Sequence, residues 1–302
     1  MSYLFQLLVS LCITLALIIY PPPAAALSQV KEQMSAQEFF RAGVAEMQSQ
    51  NYSKAVQYFT DTVNLNHDFA AAFSNRCLAY LQLGEYESAI QDCTQSLNLN
   101  SQNTESYLNR GLAYYKQGNY ANAIADYNQV IKLKPIDFRA YYNRALAQSE
   151  LQHYQAAISD YNHTLTLMPV EDTFQLAEVY NDRGTNRLML NDSLGAIADF
   201  DRAIHLNQQD YRYYFNRACA NEQQLNFVAA IQDLTSALQL NPNYAEAYAS
   251  RGVVHYQLGN ERQALLDIRK AAEKFLFQEK ITAYEQTLNL LKHLRKEETV
   301  VG

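Results

Sequence analysis

Between Tyr107 and Pro135 the chain reads YLNRGLAYYKQGNYANAIADYNQVIKLKP, and its apolar positions fall three and four residues apart on both sides of Lys116-Gln117-Gly118-Asn119. Tyr107, Gly111 and Tyr114 line one face of the first segment, and Ala123, Tyr127 and Val130 line one face of the second, a spacing that predicts two amphipathic helices joined by a tight turn. This helical hairpin returns along the chain. Its leading aromatic recurs as Phe39, Phe73, Tyr107, Tyr141, Tyr180, Tyr214 and Tyr248, in steps of 34 residues except for 39 between Tyr141 and Tyr180. The alanine of the second helix is kept in every copy, as Ala55, Ala89, Ala123, Ala157, Ala196, Ala230 and Ala264. The predicted hairpins are 36–69, 70–103, 104–137, 138–171, 177–210, 211–244 and 245–278. The insertion 172–176 reads as an N-terminal extension of the next helix, with Asp172 or Thr173 near its cap. Phe277, Ile281, Tyr284, Leu288 and Leu291 alternate steps of four and three and predict one closing helix over 279–296, with Lys292, Arg295 and Lys296 at its carboxyl end.

A 34-residue period carrying an aromatic, a small residue four later, then Ala, an aromatic and Pro in the second half resembles the tetratricopeptide repeat. The resemblance covers Ala36 to Gln278. It implies an all-α, right-handed superhelical solenoid of seven hairpins plus a closing helix, which grows without a central core and has an atypical first copy. That architecture serves many partners, so function has to be read from the faces it presents.

With 24 basic against 31 acidic residues, the chain lacks the basic stripe that phosphate neutralisation requires, and nucleic acid is not an expected partner. The six histidines have no metal-ligand spacing, and no phosphate loop, His-Glu-x-x-His or Gly-x-Ser-x-Gly occurs, so no catalytic residue, metal or cofactor is predicted. Outside the leader and repeats only about two dozen residues remain, well below the roughly 50 of a small catalytic domain. Three Asn-x-Ser/Thr sequons, at Asn51, Asn162 and Asn191, read as coincidence.

Met1 to Val30 carries no charged side chain, and the apolar run Leu4 to Tyr20 ends at Pro21-Pro22-Pro23. With Ala24-Ala25-Ala26 behind it, residues 1–26 read as a signal peptide cut after Ala26, or as a retained membrane anchor. Either reading places the repeats outside the cytoplasm, with the membrane touched only through this segment. Cys77, Cys93 and Cys219 occupy or adjoin core slots held elsewhere by Ala, Gly or an aromatic, and read as buried free thiols, with a Cys77–Cys93 bridge across one hairpin as the alternative.

Two ladders run along the first helices. Before the small residue stand Arg76, Arg110, Arg144, Arg183, Arg217 and Arg251, and one place earlier stand Asn75, Asn109, Asn143, Asp182, Asn216 and Ser250. At about 100° per residue the arginine lies roughly 65° from the centre of the buried stripe and the asparagine nearly opposite, predicting an interfacial arginine and an exposed asparagine. Each arginine has an aspartate sixteen residues later, as Asp92, Asp126, Asp160, Asp199, Asp233 and Asp267, whereas the first copy has Ala42 and Tyr58. Joint gain and loss predicts ion pairs within each hairpin, structural in role.

The exposed face of the first helices lines the inside of the superhelix in this family, where the asparagine ladder resembles that of the peptide-binding superhelix of O-linked N-acetylglucosamine transferase. Helices stack about 10 Å apart and an extended chain advances about 3.3 Å per residue, so one amide would meet a bound backbone every third residue. An amide donates and accepts, and so captures a backbone of any sequence. Phe40, Leu108, Tyr115, Tyr142, Phe215 and Tyr256 are placed to select side chains. The expected function is a non-catalytic protein- or peptide-binding scaffold or assembly factor. The alternatives are a structural subunit of a larger, membrane-associated or self-associating complex, and a regulatory subunit of an enzyme.

Overall fold

In the computed structural model, residues 34–169 and 171–298 are described, so the leader expected over 1–26 lies outside the described residues. Fifteen helices follow one another there without a strand. Hairpins pair α1 (Ala36–Gln48) with α2 (Tyr52–Leu65) and α3 (Ala70–Leu83) with α4 (Tyr86–Leu99); α5 (Thr104–Lys116) and α6 (Tyr120–Leu133) follow in the chain, and α7 (Phe138–Glu150) pairs with α8 (Tyr154–Leu167). They continue with α9 (Thr173–Met189) and α10 (Ser193–Leu206), α11 (Tyr211–Gln223) and α12 (Phe227–Leu240), and α13 (Ala245–Gln257) and α14 (Glu261–Phe277), before α15 (Ile281–Glu298). The helices form two compact units that divide at Gln117, the first holding α1 to α5 and the second α6 to α15. Among the described residues no helix is long and apolar enough to cross a membrane.

Each hairpin turns at one residue in the left-handed region: Gln50, Gly84, Gly118, Gln152, Asn191, Leu225 and Gly259. The following amide returns to the carbonyl five residues back in six of the turns, as in Asn51 to Glu46, Glu85 to Tyr80 and Asn226 to Asn221. This satisfies the orphan carbonyls of the first helix and fixes the reversal. The inserted residues lengthen α9, whose first turn is capped by the Asp172 carboxylate accepting the Gln175 amide at 3.1 Å.

The two helices of a hairpin approach most closely where a small residue meets a large one sixteen positions later. A Cβ on Gly43 would sit 2.6 Å from the Phe59 ring, one on Gly184 would sit 2.8 Å from Phe200, and one on Gly252 would sit 2.6 Å from Ile268. The conserved alanines of the second helices are fully buried in all seven copies. In the second hairpin this small-against-large pair is replaced by Cys77 and Cys93, and the two are joined by a disulfide with Cα atoms 5.4 Å apart. The reading of both as free thiols is thereby corrected. The closest-approach slot places two cysteines of opposing helices within bridging distance, which helical spacing alone left open. Cys219 is free and half-buried.

Leu225 holds φ at 57° with 73% of its surface exposed, so it carries the left-handed penalty without packing in return. Relief of about 1–2 kcal/mol against a glycine entropy cost of about 0.5–1 predicts that Leu225→Gly stabilises by roughly 0.5–1 kcal/mol, read from the urea midpoint. A lower midpoint would contradict this account of the turn.

Candidate functional site

The arginine ladder forms a set of nodes between the helices. Five arginines make two-pronged contacts to the aspartate of their own hairpin: Arg76 to Asp92, Arg144 to Asp160, Arg183 to Asp199, Arg217 to Asp233 and Arg251 to Asp267. Their Nε and Nη2 atoms lie 2.5 to 3.0 Å from the carboxylate oxygens. Arg110 belongs to the first unit, and Asp126 is buried in the second. The remaining guanidinium nitrogen reaches the preceding hairpin at 2.5 to 3.0 Å: Arg76 to Thr60, Arg110 to Thr94, Arg144 to Asn128, Arg183 to Asn162, Arg217 to Asp201 and Arg251 to Thr235. Each guanidinium also lies over the leading aromatic of its own helix, 5.4 to 5.8 Å from the ring centroid, from Arg76 on Phe73 to Arg251 on Tyr248. The sequence reading missed this second acceptor. Its signal was present, because the slot holds Thr60, Thr94, Asn128, Asn162, Asp201 and Thr235, then Arg269 in the last copy, which no hairpin follows. The sequon residue Asn162 is one of these acceptors.

The asparagine ladder is half-buried at every position from Asn75 to Ser250, which corrects the expectation of an exposed slot. Within the first unit α1 meets α3 and α3 meets α5, and within the second α7 meets α9 and α9 meets α11, and these contacts cover part of the slot. Asn75 donates to the Ala71 carbonyl of its own helix at 2.8 Å, and Asn216 donates to Asn181 of the preceding hairpin at 2.8 Å. Asp182 accepts from the Tyr142 hydroxyl at 3.0 Å. The Asn109 and Asn143 amides have no hydrogen-bond partner among the described residues. Of the side chains expected to select a ligand, Leu108 is buried in the core, and Tyr115 and Tyr256 are half-buried. Phe40 is stacked on Phe69 at 4.9 Å, and Phe215 is met edge-on by Tyr244 at 4.9 Å.

Tyr142 is placed differently. With Phe138, Thr164, Met168, Gln175 and Val179 it lines a cavity of about 120 Å³ between α7, the end of α8 and the start of α9. The Glu178 carboxylate at its rim is held by Arg212 at 2.6 Å and by the Tyr213 hydroxyl at 2.9 Å. Among the described residues no three His, Cys, Asp or Glu side chains are grouped to hold a metal.

Sequence profiles described as tetratricopeptide repeat match residues 104–137 and 138–169, and one described as TPR repeat matches 78–118 and 226–259. The chain carries tetratricopeptide repeats. It is 35% identical over 81 residues to the mitochondrial import receptor subunit TOM70 of Homo sapiens, a match that covers 26% of this chain and 13% of that protein. A tetratricopeptide repeat protein from Parabacteroides merdae superposes with a TM-score of 0.62 at 20% identity, covering 84% of this chain and 98% of the other. YrrB, described as a TPR protein with an unusual peptide-binding site, superposes with a TM-score of 0.52 at 19% identity over 60% of this chain and 91% of its own. These structures share the repeat solenoid fold.

Within this repeat array Asp182 is the one acid in its slot, which holds Arg41 in the first repeat and asparagine or serine in the rest. Burial pushes its carboxyl up to about 6, the nearby Glu178 charge adds to the rise, and the bonds from Tyr142 and Asn181 oppose it. A carboxyl that keeps its proton to a higher pH when folded than when unfolded makes the fold less stable as pH rises from about 4 to about 6. Asp182→Asn restores the amide of the other repeats. It should raise stability at neutral pH by about 1–2 kcal/mol, less than the roughly 3 kcal/mol of a two-unit shift because the side chain is partly solvated, and leave it unchanged near pH 4. Denaturant midpoints of both proteins across this range check it, and parallel curves would refute the assignment.

Proposed function

We propose that this chain is a non-catalytic protein-binding scaffold that captures extended segments of a partner along the face formed by its first helices. The observation that carries the reading is the amide slot repeated on that face. Asn109 and Asn143 have donors and acceptors left over after folding, which stay open to solvent and are free to pair with a bound backbone. The peptide-binding site ascribed to YrrB supports the same use of a shared fold. The face is not uniform, since Asn75 and Asn216 are committed internally and must exchange those bonds to bind.

The scaffold works outside the cytoplasm or tethered to a membrane in this proposal. Two features support that placement: the uncharged apolar stretch Leu4 to Tyr20, and the Cys77–Cys93 disulfide, a kind of bond that persists in oxidising compartments.

Selection of random extended peptides on the whole chain tests the reading. Replacing Asn75 and Asn109 by Ala in the first unit, or Asn143 and Asn216 by Ala in the second, should weaken the selected peptides roughly tenfold or more; stability should stay within about 0.5 kcal/mol for the first pair and fall by about 1–3 kcal/mol for the second, where the buried Asn181 loses its donor. Selection of no peptide, or undiminished binding by both variants, would return the asparagines to solvating their own helices.

A further inference from the structure

The cavity at Tyr142 differs from its counterparts elsewhere in the array in what fills it. Tyr142 occupies the slot of Phe40 in the first repeat and of Phe215 in the sixth. In both of those repeats the residue 29 positions further on is aromatic, and its ring lies on the platform: Phe69 against Phe40 at 4.9 Å, and Tyr244 against Phe215 at 4.9 Å and Tyr211 at 4.8 Å. The chain thus covers two of its own aromatic platforms with its own rings. After Tyr142 a count of 29 falls on the exposed Glu171, and in register with the next leading aromatic, Tyr180, the corresponding residue is Leu176, an aliphatic side chain buried in the core cluster that Tyr142 packs against and not part of the cavity wall. The insertion 172–176 follows at once, and the lengthened α9 brings Gln175 and Val179 to the cavity wall instead. What remains is a cavity of about 120 Å³ walled mainly by Phe138, Tyr142, Met168 and Val179. That is comparable with the roughly 150 Å³ apolar cavities that take a benzene ring.

The chemistry beside the cavity is acidic. Glu178 and Asp182 stand one helical turn apart on α9, and the charge of Glu178 is met by Arg212. Asp182 receives only a hydroxyl, from Tyr142, and an amide, from Asn181. It stands where five of the other repeats carry a neutral amide or hydroxyl, against the cost of its burial. A carboxylate retained at such a cost beside an apolar cavity suits a ligand that brings its own positive charge.

We propose that this cavity seats one aromatic side chain of the captured segment, and that a lysine or arginine next to it in that segment is set against Asp182. The ring lies on Tyr142 as Phe69 and Tyr244 lie on the platforms of their own repeats, and the cation gives Asp182 a direct ion pair, where the folded chain supplies only the charge of Arg212 without one. The five-residue insertion thereby turns one inter-repeat junction into a specificity pocket on a face whose amide ladder reads backbone alone. The site deepens the peptide-capture reading, on which it rests for the nature of its ligand.

The probe is 2-phenylethylammonium, which carries a ring and a cation, beside benzyl alcohol with the ring only and butylammonium with the cation only. Methyl resonances of Met168 and Val179 in the whole chain report occupancy. Saturable shifts are expected with the two ring compounds and none with butylammonium. Asp182→Asn should weaken 2-phenylethylammonium roughly threefold at neutral pH and leave benzyl alcohol unchanged, as suits a partly solvated ion pair. Gln175→Phe, at an exposed position on the cavity wall, should fill the site from within and abolish both shifts. Val179→Phe serves as the second filling variant, and unchanged thermal unfolding of either one shows that the fold is intact. Absence of saturable shifts, equal shifts with butylammonium, or shifts that survive a folded filling variant would overturn the ring site, and an Asp182→Asn protein that binds 2-phenylethylammonium as before would overturn the cation contact. The probe needs no extended segment. Ring binding retained in the Asn143 and Asn216 variant whose peptides no longer bind, or lost while peptides still bind, tells a failure of one reading from a failure of the other.

Discussion

The guanidinium of the first helix is the contact on which the repeat array depends. It uses every side of its planar fork: two nitrogens on the aspartate of its own hairpin, a third on the preceding hairpin, and one flat face over the aromatic three residues earlier. A lysine could not make these contacts together, because its ammonium is a single point of charge. The aspartates are almost wholly buried, from 2% to 7% exposed across the ladder, whereas the arginine side chains retain 13% to 24% in the five pairs. Losing the arginine would leave a desolvated carboxylate without a counter-charge, except at Asp199, which Arg187 also meets at 2.8 Å, and that is the expensive half of a buried pair. One residue type thus sets the angle within a hairpin and fastens that hairpin to the one before it.

Most of this was legible in the sequence because the chain repeats itself. Seven alanines and six arginine-aspartate couples exposed the register without any other protein for comparison. Three things were not. Burial of the asparagine slot depends on how far neighbouring first helices overlap, and an ideal single helix wheel carries no term for neighbours. The disulfide required knowing that the small and large slots of opposing helices are the points of closest approach, as Gly43 and Phe59 show. The third was the acceptor ladder of Thr60 and its counterparts. It varies among hydroxyl, amide and carboxylate, so identity of residue conceals what identity of function preserves.

The insertion after Pro169 shows how an otherwise regular array acquires a distinct site. Five residues lengthen α9 by about a turn, bring Gln175 and Val179 to the wall of the cavity at Tyr142, and precede an acid, Asp182, in a slot that is mostly asparagine. The guanidinium node is preserved across the break, since Arg183 still reaches both Asp199 and Asn162, the latter now 21 residues back where the other arginines count 16. Structure is therefore held constant where the helices are fastened and allowed to vary on the face offered to a partner. The same separation explains why binding residues were harder to identify than structural ones: the fastening repeats, and specificity lies in the departure from the repeat.

The most direct test of this account is a set of double-mutant cycles centred on Arg144. Pairing Arg144→Ala with Asp160→Ala, and separately with Asn128→Ala, isolates the contact within the hairpin from the contact to the preceding one, while Asp160→Ala with Arg183→Ala supplies the control. The account predicts a coupling of about 2–4 kcal/mol for the first pair, between exposed and fully buried ion pairs, about 1 kcal/mol for the second, and a value near zero for the control. A control coupling larger than that of Arg144 with Asp160, or no coupling in any of the three, would show that the arginines do not fasten the stack.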